Sequence, residues 1–170
     1  MLTILRHALS ILLLPFLVVV IVPAWLLATF AASDSRWVDN APIDWLARLA
    51  GATLIIAGLG LFSWCVSLFV RVGRGTLAPW DPTRKLVAIG PYRFVRNPMI
   101  GGVAALLIGQ ALVRGSWLVG LWASAFILIN HVYFVVSEEP GLAARFGEPY
   151  RRYKADVPRW IPRRRPWSGG

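Results

Sequence analysis

The sequence is poor in cysteine, histidine and acidic side chains, and each shortage narrows what the chain can be. It contains 1 Cys, 2 His and 8 acidic residues in a chain of 170, against 18 Lys and Arg. A single cysteine, Cys65, allows no disulfide framework and identifies no redox compartment. The sequence also lacks a Ser-His-Asp arrangement and a cluster of metal ligands, so we predict no metal site.

Charge is scarce along most of the chain, and hydrophobic residues make up 57% of it, with a mean hydropathy of +0.61 and 9 Trp. Soluble domains are usually about half apolar, so this composition indicates a membrane protein. The formal net charge of +10 does not point to nucleic acid, because the basic residues flank long uncharged stretches. Membrane proteins carry positive charge in this way, and we expect no nucleic-acid partner.

Uncharged stretches predict an all-α membrane protein, because about 20 apolar residues suffice for a helix to cross a bilayer. For the first stretch the alternative is a cleaved signal peptide, since Arg6 precedes it and Ala31–Ser33 resembles a cleavage site. Only Arg114-Gly115 separates the last two stretches, so we expect them to form a tight helical hairpin. The four predicted spans are His7–Ser33, Leu49–Val70, Asn97–Val113 and Gly115–Ser137.

Basic residues in the loops predict the orientation. The loop Asp34–Asp44 carries three aspartates and one arginine, whereas residues 71–96 carry five arginines and one lysine. Cytoplasmic loops are enriched in Lys and Arg, and the C-terminal tail is basic as well. We therefore expect the basic loop and both termini to be cytoplasmic.

The chain shows no internal repeat, low-complexity segment or hinge, so we predict one membrane domain, residues 1–170. Gly101, Ala105 and Gly109 recur every four residues, which lets one face of the third helix approach a neighbour closely. Such a face serves folding within a monomer as well as dimerisation, so it leaves the oligomeric state open.

Polar residues concentrate in Trp80–Pro98 and Asn130–Pro162, both at the predicted cytoplasmic ends of helices. A functional site at that boundary is the natural prediction. Asn97 before a proline is a typical helix N-cap. Arg93 and Arg96 lie in the same loop, and contact with lipid phosphates is an alternative explanation for them.

His131 and Glu138 are separated by seven residues, or about two helical turns, so we expect them to share a helix face. Ionisable groups at membrane depth are candidates for a functional site. The alternatives are an interhelical hydrogen bond from His131, and a cap at Ser137 with Glu138 and Glu139 in the first turn of the next helix.

Beyond these carboxylates, the residues 142–147 and 148–154 predict two short amphipathic C-terminal helices separated by Gly147. A basic amphipathic tail of this kind is expected to lie on anionic headgroups. In that position it could also close over a pocket.

Four motifs follow one another along the chain, and they are Gly90–Met99, Glu138-Glu139, Phe146–Tyr153 and Val157–Pro162. Together they resemble the isoprenylcysteine carboxyl methyltransferase and phospholipid methyltransferase superfamily, in its small bacterial form. The resemblance covers Leu77–Arg163, about half the chain, so we predict two N-terminal spans in residues 1–76 and a cofactor-binding region in residues 77–163. It implies an inner-membrane enzyme.

The resemblance implies S-adenosyl-L-methionine as cofactor, bound near the membrane surface. This chain departs from the family at two of the implied contacts, because Asn97 stands where many members have His and Ile100 where they have Tyr. The imidazole and phenol contacts of those members are therefore replaced or lost here. The implied cofactor-binding residues are Arg84, Lys85, Leu86, Val87, Tyr92, Arg96, Asn97, Pro98, Met99, Ile100 and Glu138.

The residue types suit this chemistry. Glu138 can meet the cofactor's ammonium, Arg96 or the amides at the Pro98 helix start can meet its carboxylate, and Tyr92 can contact its sulfonium. Methyl transfer is a direct displacement that depends on positioning and exclusion of water, so it needs no nucleophilic side chain.

For the reaction itself we predict three residues. His131 or Glu139 would take the proton of an amine or thiol acceptor, and Arg93 would hold an acidic headgroup. The acceptor is a lipid or a small hydrophobic molecule. Two other functions stay open: an NADPH-dependent reductase related to the sterol reductases, and a non-catalytic membrane relative.

Overall fold

The computed structural model describes residues 14–34, 41–68, 71 and 86–169, and within these residues every regular element is a helix. This confirms the all-α prediction for the described part. A π-turn, Leu17–Ile21, leads into α1, a second π-turn, Phe134–Glu138, joins α4 to α5, and Gly90–Arg93 is a 3₁₀ turn. The helices are α1 (Val22–Phe30), α2 (Ala41–Leu68), α3 (Pro98–Arg114), α4 (Trp117–Tyr133), α5 (Glu139–Phe146) and α6 (Glu148–Asp156).

Three continuous helical segments of the described chain are long and apolar enough to cross a membrane: Leu14–Ser33, Pro42–Leu68 and Trp117–Phe146. The helix α3 is apolar but has 17 residues. At 1.5 Å per residue it is about 25 Å long, somewhat less than the roughly 30 Å of a bilayer core. Three membrane-spanning helices are therefore supported by length and composition, and the fourth span stays a prediction.

The helices α2 and α3 pack so closely at two places that their backbones touch through glycines. A Cβ on Gly109 would lie 2.7 Å from the carbonyl oxygen of Gly51, and the reverse contact is also 2.7 Å. A Cβ on Gly58 would lie 2.7 Å from the carbonyl oxygen of Gly102, and the reverse contact is 2.9 Å. Such contacts let dispersion and backbone dipoles stabilise helix packing where lipid removes the hydrophobic driving force.

The predicted small-residue face is right in two of its three positions. Ala105 faces Gly58, with 3.1 Å to a Cβ built there, and Gly109 lies in the seam, but a Cβ on Gly101 would have no neighbour within 4 Å among the described residues. The seam passes through Gly102 instead, because residues 102 and 109 are seven apart and so lie two turns from each other on one face.

The first span is joined to α3 and α4 by two side chains that donate to its backbone. Pro23 has no N–H, so the carbonyl of Val19 four residues earlier has no helical donor from that position. Gln110 donates to the Val19 oxygen at 3.0 Å, and Trp122 donates to the Val18 oxygen at 2.9 Å. Unpaired carbonyls are costly in lipid, so these bonds stabilise the packing of the first span.

The helices α3 and α4 form the tight hairpin that the sequence predicts. They are separated by Gly115, whose φ of +67° suits glycine, and by Ser116. Ser116 caps α4 by accepting from the Val119 N–H at 3.2 Å, and its hydroxyl donates to Asp34 at 2.6 Å. Asp34, directly after the first span, is thus fixed to this hairpin.

The two short C-terminal helices are present as predicted. The helices α5 and α6 are separated by Gly147, with φ +60°. Their buried faces contribute Leu142, Phe146, Tyr150 and Tyr153 to one apolar cluster. This cluster packs them against the chain that precedes α3.

Candidate functional site

The turn before α3 places the predicted Tyr92 inside the protein. Gly90 has φ +56°, which starts the 3₁₀ turn, and Tyr92 is buried with Val87. The Tyr153 hydroxyl donates to the Tyr92 carbonyl at 2.7 Å. Burial raises the pKa of Tyr153, so this phenol stays protonated and keeps donating.

Residues 157–167, here called the C-terminal strap, lie across the loop between this turn and α3. The Nε of Arg93 also donates to the Trp167 carbonyl at 2.6 Å. The strap therefore holds the loop in place through three backbone hydrogen bonds and the Arg93 side chain. The backbone donor–acceptor pairs are Arg96–Pro158, Arg163–Phe94 and Trp167–Arg93, at 2.9, 3.0 and 2.9 Å.

The π-turn after α4 decides which of the two glutamates faces inward. The Glu139 N–H donates to the Phe134 oxygen five residues earlier, one residue more than in an α-helix. Pro140, which follows, cannot donate to the carbonyl four residues before it. Phe134 and Glu139 are therefore aligned on the buried face, at 3% and 4% exposure.

The same π-turn changes the predicted relation between His131 and Glu138. That prediction assumed a regular α-helix through both residues. One inserted residue rotates the following chain by about 100°, so Glu138 turns away from the face of His131. The two predicted residues consequently serve different parts of the site.

Glu139 is the centre of a cluster of ion pairs. One carboxylate oxygen accepts from Arg96 at 2.8 Å and from Arg159 at 2.7 Å, and the other accepts from Lys154 at 2.8 Å. These cations come from the loop before α3, the strap and α6. Glu139 thus connects three segments that are distant in sequence, and the prediction that it accepts a proton in catalysis stays a prediction.

Glu138 precedes Glu139 in the chain, but its carboxylate is not part of this cluster. It is partly exposed, and no cation of the described residues lies within ion-pair distance of it. Burial raises the pKa of Tyr92 most, and Cys65, Tyr153 and Glu138 raise it further through their proximity. That Tyr92 and Glu138 hold the cofactor together stays a prediction.

His131 is held by the strap. The Trp160 indole N–H donates to its Nδ1 at 3.1 Å, and the two rings stack with centroids 6.4 Å apart. Because Nδ1 accepts this bond, the proton of the neutral imidazole lies on Nε2. His131 therefore takes part in a hydrogen bond, which was the alternative considered from the sequence. Its partner lies on the strap and not on a neighbouring helix.

Four further predicted residues lie around Tyr92 and α3. Val87 and Met99 pack in the cluster of Tyr92, and Leu86 packs with the C-terminal helices. Ile100 packs instead on the core between α3 and α4. Leu86, with residues of α6 and the strap, also lines an open cavity of about 310 Å³.

The start of α3 presents donors without helical partners. Asn97 occupies the N-cap position, but its side chain makes no capping hydrogen bond, and Pro98 follows as the first helical residue. The first amides of a helix have no partner within it. The Nε of Arg96 is also buried without a hydrogen-bond partner in the described structure. Arg84 and Lys85 lie outside the described residues.

Sequence reasoning missed the residues of the tail that complete the site. Lys154 was expected on lipid headgroups with the rest of the amphipathic tail, and Arg159 and Trp160 were given no individual contacts. In the structure Lys154 and Arg159 bind Glu139, and Trp160 binds His131. For Arg159 and Trp160 a signal was present, because both belong to the motif Val157–Pro162, which follows the glutamate pair in order. The prediction that Arg93 holds a headgroup stays a prediction.

Comparison with known proteins decides the family. The phospholipid methyltransferase family matches residues 46–149, more than half of the chain. The chain belongs to this family. The family match begins within α2, so it extends further toward the N-terminus than the motifs Gly90–Met99 and Glu138-Glu139, and it ends before the strap.

A curated relative of this phospholipid methyltransferase family member comes from Haemophilus influenzae. That protein, described as uncharacterized, is 38% identical over 56 residues, which cover 33% of this chain and 89% of the relative. No solved structure matches the chain significantly.

Proposed function

We propose that this phospholipid methyltransferase family member transfers a methyl group from S-adenosyl-L-methionine to a lipid or small hydrophobic acceptor at the cytoplasmic membrane face. The observation that carries the proposal is Glu138, a carboxylate with which no cation of the described residues forms an ion pair. Next to it lies a cluster in which three cations surround one carboxylate, that of Glu139.

The residues present fit the cofactor. S-adenosyl-L-methionine, when bound, supplies a methyl group on a sulfonium, and its amino-acid end carries an ammonium and a carboxylate. Glu138 would hold the ammonium. The unpaired Nε of Arg96 and the free amides at the start of α3 would hold the carboxylate, because helix N-termini and guanidinium groups both favour anions.

The hydrophobic residues around this position would exclude water. Tyr150, Tyr153 and Val157 are almost fully buried, and they cover the loop that carries Tyr92. Positioning and dehydration supply most of what a direct displacement requires.

We assign positioning functions to the two predicted proton acceptors. The oxygens of Glu139 accept from three cations, and the Nδ1 of His131 accepts from Trp160. Each accepting atom is therefore occupied, and the proton of an amine or thiol acceptor would leave to water at the membrane surface.

We also propose four spans with both termini cytoplasmic, in a bacterial inner membrane. The packing of α3 along α2 supports this, because α2 is long and apolar enough to cross a membrane and α3 lies against it at two glycine contacts. The site then lies at the cytoplasmic end of the bundle, where the basic residues concentrate.

Calorimetric titration in detergent tests cofactor binding. We expect S-adenosyl-L-methionine to bind the wild-type protein, and Glu138→Gln to bind it at least about tenfold more weakly, because a charge-assisted hydrogen bond is lost. Glu148→Gln is the matched control, since Glu148 pairs with Arg152 on the exposed face of α6. Binding of NADPH in place of S-adenosyl-L-methionine would favour the reductase alternative and refute the proposal.

The acceptor is identified by mass spectrometry of lipids and small metabolites. Membranes with and without the protein receive S-adenosyl-L-methionine that carries a labelled methyl group. We expect label in a lipid or hydrophobic fraction only where the protein is present. Equal labelling in both preparations would argue for the non-catalytic alternative.

A further inference from the structure

A groove lies between the first span and the C-terminal half of α3, away from the candidate functional site. Its volume is about 210 Å³, and it is lined by five apolar residues of the first span and by Gln110 and Arg114 of α3. The groove stays open because Ala24 has a small side chain and because Gln110 donates to the Val19 oxygen at 3.0 Å. This hydrogen bond holds the two helices together with a gap beside it.

The inside of the groove suits hydrocarbon and not water. The lining residues of the first span carry no polar side chain, and the Gln110 amide already donates to a backbone oxygen. A buried water needs about two to four polar partners, which these residues do not offer. An unfilled apolar gap loses dispersion contacts along its lining. An acyl chain of the surrounding bilayer would supply them.

Arg114 adds a positive charge at the end of the groove. It is the last residue of α3 and is exposed, and no acidic residue of the described part of the chain forms an ion pair with it. The first residue of α3, Pro98, belongs to the candidate site, so Arg114 lies at the opposite end of the bundle. A helix of about 25 Å is shorter than a bilayer core of roughly 30 Å and thins the bilayer locally. The phosphates of that leaflet are thereby brought nearer to Arg114.

An apolar groove that ends at a guanidinium group matches the two parts of a phospholipid, because such a group recognises phosphate through paired N–H donors. We propose that the groove binds one phospholipid of the leaflet opposite to the cofactor site as a structural ligand, with an acyl chain against Ala24 and the phosphate on Arg114. The first span is the least buried of the three long apolar helices, so a lipid that contacts both sides of the groove strengthens its attachment. This lipid is not the methyl acceptor, because its headgroup lies about 25 Å from the start of α3. Its binding does not depend on the proposed function.

Native mass spectrometry of the full chain in non-ionic detergent tests the site by titration. Three probes are used: dioleoylphosphatidylglycerol, dioleoylglycerol, which lacks the phosphate, and inorganic phosphate. We expect Arg114→Gln to weaken binding of the phospholipid at least about tenfold, because a charge-assisted hydrogen bond is lost, and to leave binding of dioleoylglycerol unchanged. Inorganic phosphate that competes at the concentration of the phospholipid would overturn the proposal by showing a free-phosphate site.

A second variant, Ala24→Phe, fills the groove, and we expect it to bind both lipids at least about tenfold more weakly. Its matched control is Ala57→Phe on an exposed part of α2 outside the groove, which should bind both lipids as the wild type does. Arg165→Gln is the control for charge and should stay within about twofold of wild type, because Arg165 is an exposed residue of the strap. Equal loss in Arg165→Gln and Arg114→Gln would overturn the proposal in favour of general attraction to charge. Undiminished binding in Ala24→Phe would overturn it by showing that the acyl chain lies elsewhere.

Thermal unfolding separates lipid binding from stabilisation of the α3 end by the charge of Arg114. Arg114→Lys keeps the charge at the helix C-terminus and loses the paired donors, so without lipid it should unfold at the wild-type temperature. With the phospholipid present, the wild type should gain more stability than Arg114→Lys. An equal gain in both proteins would overturn the proposal. Calorimetry with S-adenosyl-L-methionine should give wild-type affinity for Arg114→Gln and Ala24→Phe, because both lie away from the cofactor site. Absence of cofactor binding in every protein, the wild type included, would count against the proposed function and not against the lipid site.

Discussion

Replacing Glu139 by glutamine should destabilise the protein strongly, although the two side chains have the same shape. Glutamine keeps one accepting oxygen but loses the charge. Arg96 and Arg159 have side chains only 11% and 19% exposed, and both would lose their anion. Leaving buried charges unpaired costs about 3–5 kcal/mol.

The lower end of this range is the better value for Glu139→Gln. The third cation, Lys154, is 45% exposed and can return to water when its partner is lost, so its contribution is reduced by solvent. We therefore expect a loss of about 3 kcal/mol. For a chain of this size that corresponds to an unfolding temperature lower by roughly 6–12 °C.

Intrinsic tryptophan fluorescence during heating in detergent measures this change. Glu148→Gln is the same substitution at an exposed ion pair, where Glu148 and Arg152 are 59% and 61% exposed. We expect it to change the unfolding temperature by less than about 2 °C. If Glu139→Gln and Glu148→Gln unfold at the same temperature, Glu139 does not join the three segments through desolvated charges, and the reasoning is refuted.

The helix seam and the polar contacts of the first span give two further predictions in the same assay. Gly102→Ala should destabilise the protein by about 1–3 kcal/mol, because its Cβ would lie 2.9 Å from a backbone oxygen of α2. Gly101→Ala is the control and should not destabilise it, because a Cβ there has no described neighbour within 4 Å. Equal effects of the two substitutions would contradict the close packing of α2 and α3 at Gly102. Gln110→Leu should cost about 0.5–1.5 kcal/mol by leaving a carbonyl of the first span unpaired. Asn130→Leu is its control, since Asn130 donates within its own helix, and an equal loss there would count against an interhelical contribution.

The helices and the family could be predicted from the sequence, because both depend on strong signals. Bilayer thickness sets the length of an uncharged stretch, and the predicted second span overlaps the observed Pro42–Leu68. The order of motifs predicted that Tyr92 and Glu138 belong to one site, and this stays a prediction. Such signals are read along the chain and need no knowledge of contacts.

The details that failed depend on contacts or on single-residue geometry. The π-turn before Glu139 is invisible to helical periodicity, although Pro140 indicated a disturbed helix. The partners of Glu139 lie 43 residues before it, at Arg96, and 20 residues after it, at Arg159. Composition showed that these residues are basic, but whether a cation meets lipid or a carboxylate is decided by the tertiary fold.

The π-turn gives the neighbouring carboxylates of Glu138 and Glu139 different environments. Because of this difference, a charge cluster that stabilises the fold can also form one side of a binding site. Glu139 faces inward and gathers more positive charge than it neutralises, so an anion next to the cluster is favoured. Glu138 is partly exposed and forms no ion pair with a described cation, and the neighbouring Glu139 carboxylate makes a cationic partner favourable there. A positive and a negative region side by side complement the zwitterionic end of an amino-acid-like cofactor. Without the inserted residue, Glu138 would lie four residues after Phe134 on the buried face, in the position that Glu139 occupies. Glu138 would then stabilise the fold, and it would not be free to bind the ammonium of the cofactor as we propose.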